Sequence, residues 1–413
     1  MERLTLDGRS PASSGQHSAP PAPGVVRAGA PPAAHRPTDS AGVRDAILEA
    51  IDHKAGVRVV GRGTWLDAGR PVDDVRHVAL DALTGVVDYT PGDLTLTARA
   101  GTTLAVIAAA TAANGQWLAL APWGGDAGSL GATAATASAG PMSGAVGTPR
   151  DIIIGLEAVT GTGDIVRGGG RVVKNVAGFD LTRLMVGAWG TLGVLTEISV
   201  RLRALPEHDV TLALPVPGTV ALIGGLLTRL RTAAVSPLGL ELVSAALCRR
   251  LGIGTEPLLI TRLAGNEDSV AGQREALGLL GDVGDVSGGI WNTLRVAEPS
   301  SAAVVRLSGP AGRFAETWAT AQRVAATVDG GFAHATVLRS VARVVLPLDD
   351  GALPAPAVEA LESITRESCI FERLPATLWP TLAPTAVTDR LSRGIRAAFD
   401  PHRLLNPGIL GES

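Results

Sequence analysis

Thirty-six residues of this 413-residue chain are lysine or arginine, yet only two are lysines, Lys54 and Lys174. Lys174 stands in Arg171-Val172-Val173-Lys174-Asn175-Val176-Ala177-Gly178, between Gly168-Gly169-Gly170 and the later Gly187, Gly190 and Gly193. A lysine kept where arginine is otherwise the rule points to a position that needs a compact, rotatable ammonium rather than a planar fork. Other turns of the same texture are Gly61–Thr64, Trp123–Ala132 and Gly140–Gly147. Backbone N–H groups in such turns can hold a pyrophosphate without a cation. Residues without bulk also let the main chain approach a ring system closely. The chemistry on offer is therefore the holding of a large, flat, anionic ligand by main chain, with one ammonium near it.

The spacing excludes the commoner nucleotide sites. Gly61-Arg62-Gly63 follows a strand-like run, but Leu66 stands where a dinucleotide fingerprint needs its third glycine. Gly187, Gly190 and Gly193 lead into a strand rather than a helix, and no Walker sequence is present. The remaining reading is a flavin dinucleotide threaded between two lobes of a first domain.

The elements that position these turns can be read from periodicity and caps. Residues 1–38 are rich in Pro, Ala, Ser and Gly and read as a disordered tail. Asp39 or Ser40 caps a helix carrying Val43, Ile47 and Ile51. Val57–Val60, Val78–Leu80, Val86–Asp88 and the alternating Leu94–Ala98 read as strands. Thr102 or Thr103 caps an Ala-rich helix that ends at Asn114-Gly115. Gly161-Thr162-Gly163 joins two strand-like runs as a hairpin. The texture changes after Leu205-Pro206, which divides residues 39–206 from a second α/β domain over 207–385. An amphipathic helix then starts a closing segment, 386–413.

Composition narrows the function classes. A net charge of −3 gives no basic face for nucleic acid, and 3% aromatic residues give no stacking platform. Two cysteines, Cys248 and Cys369, cannot hold an iron–sulfur cluster or form a disulfide scaffold. The N-terminus lacks the apolar core of a secretory signal, and no unbroken apolar run reaches the roughly 20 residues that span a bilayer. The expectation is a cytoplasmic protein with no direct membrane span, compatible with peripheral contact at the inner face of the cell membrane through a partner.

With Val173–Leu184 and Gly190-Thr191-Leu192-Gly193-Val194-Leu195-Thr196-Glu197 on the page, the chain resembles the FAD-binding subunits of bacterial glycolate oxidase. These belong to the vanillyl-alcohol-oxidase-like, p-cresol methylhydroxylase-type (PCMH-type) FAD-linked oxidases. Ser129-Leu130-Gly131 with Ala139-Gly140, Arg150–Gly155 and the closing Asp400-Pro401 to Asn406-Pro407-Gly408 add to the likeness, which covers roughly residues 43–206. The resemblance implies an α+β fold: a PCMH-type two-lobed FAD-binding domain, a second α/β cap domain, and a C-terminal segment returning to the FAD domain. It implies that Gly61, Arg62, Gly63, Thr64 and Trp65 cradle the pyrophosphate or ribose. Ser129, Leu130 and Gly131 would lie along the flavin, and Val194 to Ile198 near the adenine or ribityl end. Lys174 would sit beside the isoalloxazine, where a cation eases reduction. Pro122, Asn175, Gly178 and Gly193 complete the cofactor-binding candidates. The chain has Phe179 where the family more often has tyrosine, and its pyrophosphate loop has no His or Cys, which implies non-covalent FAD.

Oxidation of a 2-hydroxy acid needs a base for the hydroxyl proton and a cation for the carboxylate. No two of the seven histidines stand at metal-ligand spacing, so no metal is expected. His334, in Gly330-Gly331-Phe332-Ala333-His334-Ala335, falls where the resemblance places a site-facing strand, with Arg339 and Arg343 close in sequence. His334 and Arg339 are the catalytic candidates, against the plainer reading of a core histidine and strand-edge arginines. Two functions follow from the resemblance. One is a redox subunit working with a sister FAD-linked subunit and an iron–sulfur subunit on glycolate. The other is a stand-alone FAD-linked dehydrogenase of a hydroxy acid such as D-lactate, or of another alcohol. A flavin-fold relic that only holds a complex together is the non-enzyme alternative.

Overall fold

The computed structural model describes residues 34–170, 180–365, 368–383, 385 and 387–412. The first part is built on β1 (Ala34–His35), β2 (Val57–Val60), β3 (Arg76–Ala79), β4 (Val86–Thr90), β5 (Thr95–Arg99), β6 (Gln116–Trp117), β7 (Ile153–Val159), β8 (Ile165–Gly169), β9 (Val194–Arg201) and β10 (Arg203–Ala204). Strands β6 and β10 pair as a two-stranded antiparallel sheet, and the other eight form two lobes. One is a three-stranded parallel sheet of order β1-β3-β2, and the other a five-stranded antiparallel sheet of order β4-β5-β9-β7-β8. The strand β1 lies within the stretch whose composition reads as a tail. The hairpin β7–β8 turns at Gly161–Gly163, where Gly163 takes a left-handed φ of +83° that suits glycine.

Local signals set the helix starts. The Asp39 carboxylate accepts from the Gly42 N–H at 2.8 Å and opens the helix Ser40–Asp52. Thr103 caps Leu104–Ala112, and Ser129 caps Leu130–Thr136 by accepting from the Ala132 N–H at 3.2 Å. The first helix buries Val43 and Ile47 in a core shared with Val57, Leu96, Leu130, Val194 and Ile198. Leu404 and Leu405 join that same core, so the C-terminal segment returns to the first domain. The Leu404 carbonyl accepts from the Val57 N–H at 2.7 Å, and the Asn406 N–H donates to the Val57 carbonyl at 2.7 Å.

The second part is one eight-stranded antiparallel sheet: β11 (His208–Pro215), β12 (Gly239–Val243), β13 (Leu258–Gly265), β14 (Gly284–Val286), β15 (Ala302–Ser308), β16 (Phe332–Thr336), β17 (Val341–Pro347) and β18 (Cys369–Arg373), in the order β14-β11-β13-β12-β16-β17-β15-β18. The pleat sends Leu242, Leu259, Val305 and Val344 toward helices Val220–Thr232 and Phe314–Ala325, whose Ile223, Leu227 and Trp318 meet them. It sends Val243, Ile260, Val304, Phe332 and Val345 the other way, onto Trp291 and onto Trp123 from the first domain. Because both faces are covered, these strands read as unbroken apolar runs rather than as alternation.

Candidate functional site

A cleft encloses about 740 Å³, including space open to solvent, where the end of β2, the start of helix Leu130–Thr136, the turn Trp189–Gly193 and the C-terminal segment meet. Its lining includes Arg58, Gly61, Arg62, Gly63, Thr64 and Trp65, then Gly131, Gly190 and Gly193, with Asn406 closing one side.

The glycines are there because the walls are close. A Cβ on Gly61 would sit 2.6 Å from Ser129 Oγ, and one on Gly131 would sit 2.8 Å from both the Cβ and the carbonyl oxygen of Ala100. Gly63 takes a φ of +74°. Gly190 has a φ of +67°, and a Cβ there would meet Asn406 Nδ2 at 2.7 Å. Trp189, just before it, holds a left-handed φ of +56°, a costly conformation for an aromatic residue that must be held by its surroundings. Asn406 does much of that holding. Its side-chain amide donates to the Trp189 carbonyl at 2.8 Å and accepts from the Val59 N–H at 2.9 Å, so it ties two walls together.

Of the residues singled out from the sequence, Gly61, Arg62, Gly63, Thr64, Trp65, Gly131 and Gly193 line this one cleft. Ser129 is buried behind Gly61 as a helix cap, and Leu130 is wholly buried in the core. Val194 and Ile198 are also wholly buried in the core and do not line the cleft. Pro122 stands elsewhere, at the seam with the second domain, where its carbonyl accepts from Arg295 Nε at 2.8 Å. Lys174, Asn175 and Gly178 lie outside the described residues. Sequence reasoning missed Arg58, Trp189 as a strained wall, and the bridging role of Asn406. The Asn-Pro-Gly motif was the available signal for the last.

The seam between the domains is charged and largely buried. Arg343 on β17 donates to Glu298 Oε1 at 2.7 Å and to Glu372 Oε2 at 2.7 Å. Arg373 on β18 reaches Glu298 Oε2 at 2.6 Å and Asp67 of the first domain at 3.1 Å. The Gly69 N–H donates to the Glu372 carbonyl at 2.8 Å. Arg295 binds Asp126 at 2.7 Å as well as the Pro122 carbonyl, which anchors the Pro122–Asp126 loop. Trp123 from that loop sits with Arg343 5.2 Å from its ring centre and His334 4.5 Å away.

This network decides the fate of the catalytic candidates. His334 is 1% exposed and its Nδ1 lies 3.2 Å from Glu241 Oε2, a carboxylate that is itself fully buried. Burial pushes the imidazole down and the Glu241 carboxyl up, each toward its neutral form. His334 is thus sealed inside the sheet, the plainer of its two readings, and is corrected here as a base open to substrate. Arg339 is exposed at the turn before β17, near enough to Asp151 to favour that carboxylate's charge. Among the described residues no group of three or more His, Cys, Asp or Glu is placed to hold a metal ion, and no helix is long and apolar enough to cross a membrane.

The network also sets an acid limit. Burial alone would raise the Glu298 carboxyl, but the Arg343 and Arg373 guanidiniums outweigh it and hold it below its ordinary value. A carboxylate depressed on folding contributes its full stabilisation above the unfolded value of about 4.3, and loses it as pH falls through the lower folded value. The seam should therefore stay closed at neutral pH and open only below about pH 4. Tryptophan fluorescence followed through an acid titration will show this, with a smaller acid-dependent change in Glu298→Gln than in the unaltered chain.

The description "FAD binding domain" matches residues 31–169. Glycolate oxidase subunit GlcE of Escherichia coli (strain K12) is 35% identical over 250 residues, 60% of this chain and 66% of that protein. Residues 31–169 therefore carry an FAD binding domain, and the chain, which spans just under two thirds of that subunit, is similar to FAD-linked oxidoreductases. D-2-hydroxyglutarate dehydrogenase of Xanthomonas citri pv. viticola is 28% identical over 377 residues, 81% of this chain and 79% of that one. A solved structure of p-cresol methylhydroxylase with substrate bound overlays with a TM-score of 0.68 at 17% identity, covering 92% of this chain and 90% of that one. The chain therefore has the PCMH-type α+β fold, and the FAD binding domain over residues 31–169 makes FAD its cofactor. The cleft fits that group: its lining combines the bare main chain of Gly61, Gly63, Gly131, Gly190 and Gly193 with the arginines Arg58 and Arg62, as a flat anionic ligand requires.

Proposed function

We propose that this chain is the FAD-binding redox subunit of a glycolate oxidase complex, in which glycolate is oxidised to glyoxylate and electrons pass to an iron–sulfur subunit, with a sister FAD-linked subunit beside it. The glycine cleft would hold FAD non-covalently, and FAD when bound supplies a two-electron acceptor. The observation that carries the subunit reading is the seam. Arg295, Arg343, Arg373 and His334, basic groups of the second domain at the seam, each have a carboxylate of the chain itself as partner. A substrate carboxylate would have to displace Glu298 or Glu372 to reach Arg343 or Arg373. The likeness to a protein named as a subunit agrees with this. So does the chain's own supply of two cysteines, Cys248 buried and Cys369 half-buried, too few for a cluster.

A second reading, a stand-alone dehydrogenase of a 2-hydroxy acid such as D-lactate, is favoured by the longer alignment with the hydroxyglutarate enzyme. Anaerobic mixing of the isolated, FAD-loaded chain with glycolate or D-lactate separates the two. The subunit reading expects the flavin absorbance to persist with the chain alone and to bleach in the assembled complex. Bleaching by the chain alone would establish the second reading. A chain that takes up no flavin would overturn both.

A further inference from the structure

Five arginines among the described residues are buried: Arg58, Arg295, Arg343, Arg373 and Arg396. Four have a carboxylate within 2.7 Å, namely Asp126 for Arg295, Glu298 for Arg343 and for Arg373, and Glu412 for Arg396. Arg58 is the exception. It is 8% exposed, and its Nη1 is shut off from solvent with no hydrogen-bond partner among the described residues. A guanidinium keeps its charge in a protein, so burial without a partner is a standing cost unless an anion joins it.

The position of Arg58 says which anion. It lies on β2, lines the glycine cleft, and precedes the Gly61-Arg62-Gly63 turn by three residues. Its register partner on the parallel strand β3 is His77. Burial first, and the Arg58 charge second, hold that imidazole below its ordinary value, so it stays neutral beside the guanidinium. Arg62, the arginine in the turn itself, donates to the Asp81 carbonyl at 3.3 Å. The cleft therefore has a buried, fixed positive group that no carboxylate ion pair neutralises among the described residues. We propose that Arg58 is a diphosphate-contacting residue of the FAD site, its guanidinium supplying the buried countercharge to the doubly anionic link of the dinucleotide. This rests on reading the cleft as the FAD site.

The test compares the full chain with Arg58→Met, both stripped of flavin and titrated with FAD by flavin fluorescence at several salt concentrations, alongside thermal melts of the flavin-free forms. Loss of a charge-assisted contact should weaken FAD binding about 10- to 100-fold and flatten its salt dependence. The flavin-free variant should melt no lower than the flavin-free parent, because removing an unpaired buried charge relieves a cost. A residue that merely props up the fold would behave oppositely, with a lower melting temperature and an unaltered salt dependence. That outcome, or unchanged FAD affinity, overturns the proposal while leaving the FAD reading intact. A parent chain that binds no FAD overturns the reading of the cleft and the proposal with it. If Arg58→Met does not fold, Arg58→Gln keeps amide donors without the charge and is judged on the same three measurements.

Discussion

Arg343→Met is expected to lower the unfolding free energy by about 3–5 kcal/mol, the usual cost of removing one member of a buried ionic set. The guanidinium is 3% exposed and serves Glu298 and Glu372 together while it stands over Trp123. Methionine fills much of the volume but leaves two carboxylates short of donors in a largely buried seam. Arg373 still reaches Glu298 and Arg306 still reaches Glu372 at 2.9 Å, which keeps the loss from being larger. Urea titration measures it. The diagnostic result is partial recovery in Arg343→Met/Glu298→Gln, since much of the cost is the stranded charge rather than the lost bond. A single variant within about 1 kcal/mol of the parent would mean that water reaches the network in the seam.

Asn406→Ala should cost about 2–4 kcal/mol and weaken FAD binding, because it strands two backbone groups at once. Asn406 is 3% exposed, and its amide satisfies the Val59 N–H and the Trp189 carbonyl. It also has a left-handed φ of +42°, which asparagine tolerates and alanine resists. Asn406→Gly removes the same bonds while easing the backbone, so the difference between the two variants isolates conformational strain from lost bridging. If both variants melt with the parent and hold FAD equally well, the closing motif does not fasten the cleft.

The first domain was more legible in the sequence than the second, for a physical reason. Its signals are local: Asp39, Thr103 and Ser129 cap helices that begin one residue later, and a glycine hairpin separates β7 from β8. The glycine turns could be seen to be unusual, and the structure brings Gly61, Gly63, Gly131 and Gly193 to one cleft. What was illegible is non-local. Nothing near Arg343 announces Glu298, 45 residues back, or Glu372, 29 residues on. Asn406 acts on Val59 across 347 positions of chain. His334 drew notice because the resemblance places a site-facing strand there, but the Glu241 beside it stands 93 residues earlier in the sequence. The eight-stranded sheet was hidden because burial on both faces erases the alternation that marks a strand.

The cleft's walls are defined largely by side chains that are not there. Recognition of this kind survives wholesale exchange of neighbouring residues, provided no methyl group is added at a few points and the strand ends keep their spacing. A shared architecture at 17% identity is then unsurprising. What descends through such a lineage is a set of close approaches between neighbouring stretches of chain, and one carbon added at Gly61, Gly131 or Gly190 would push them apart.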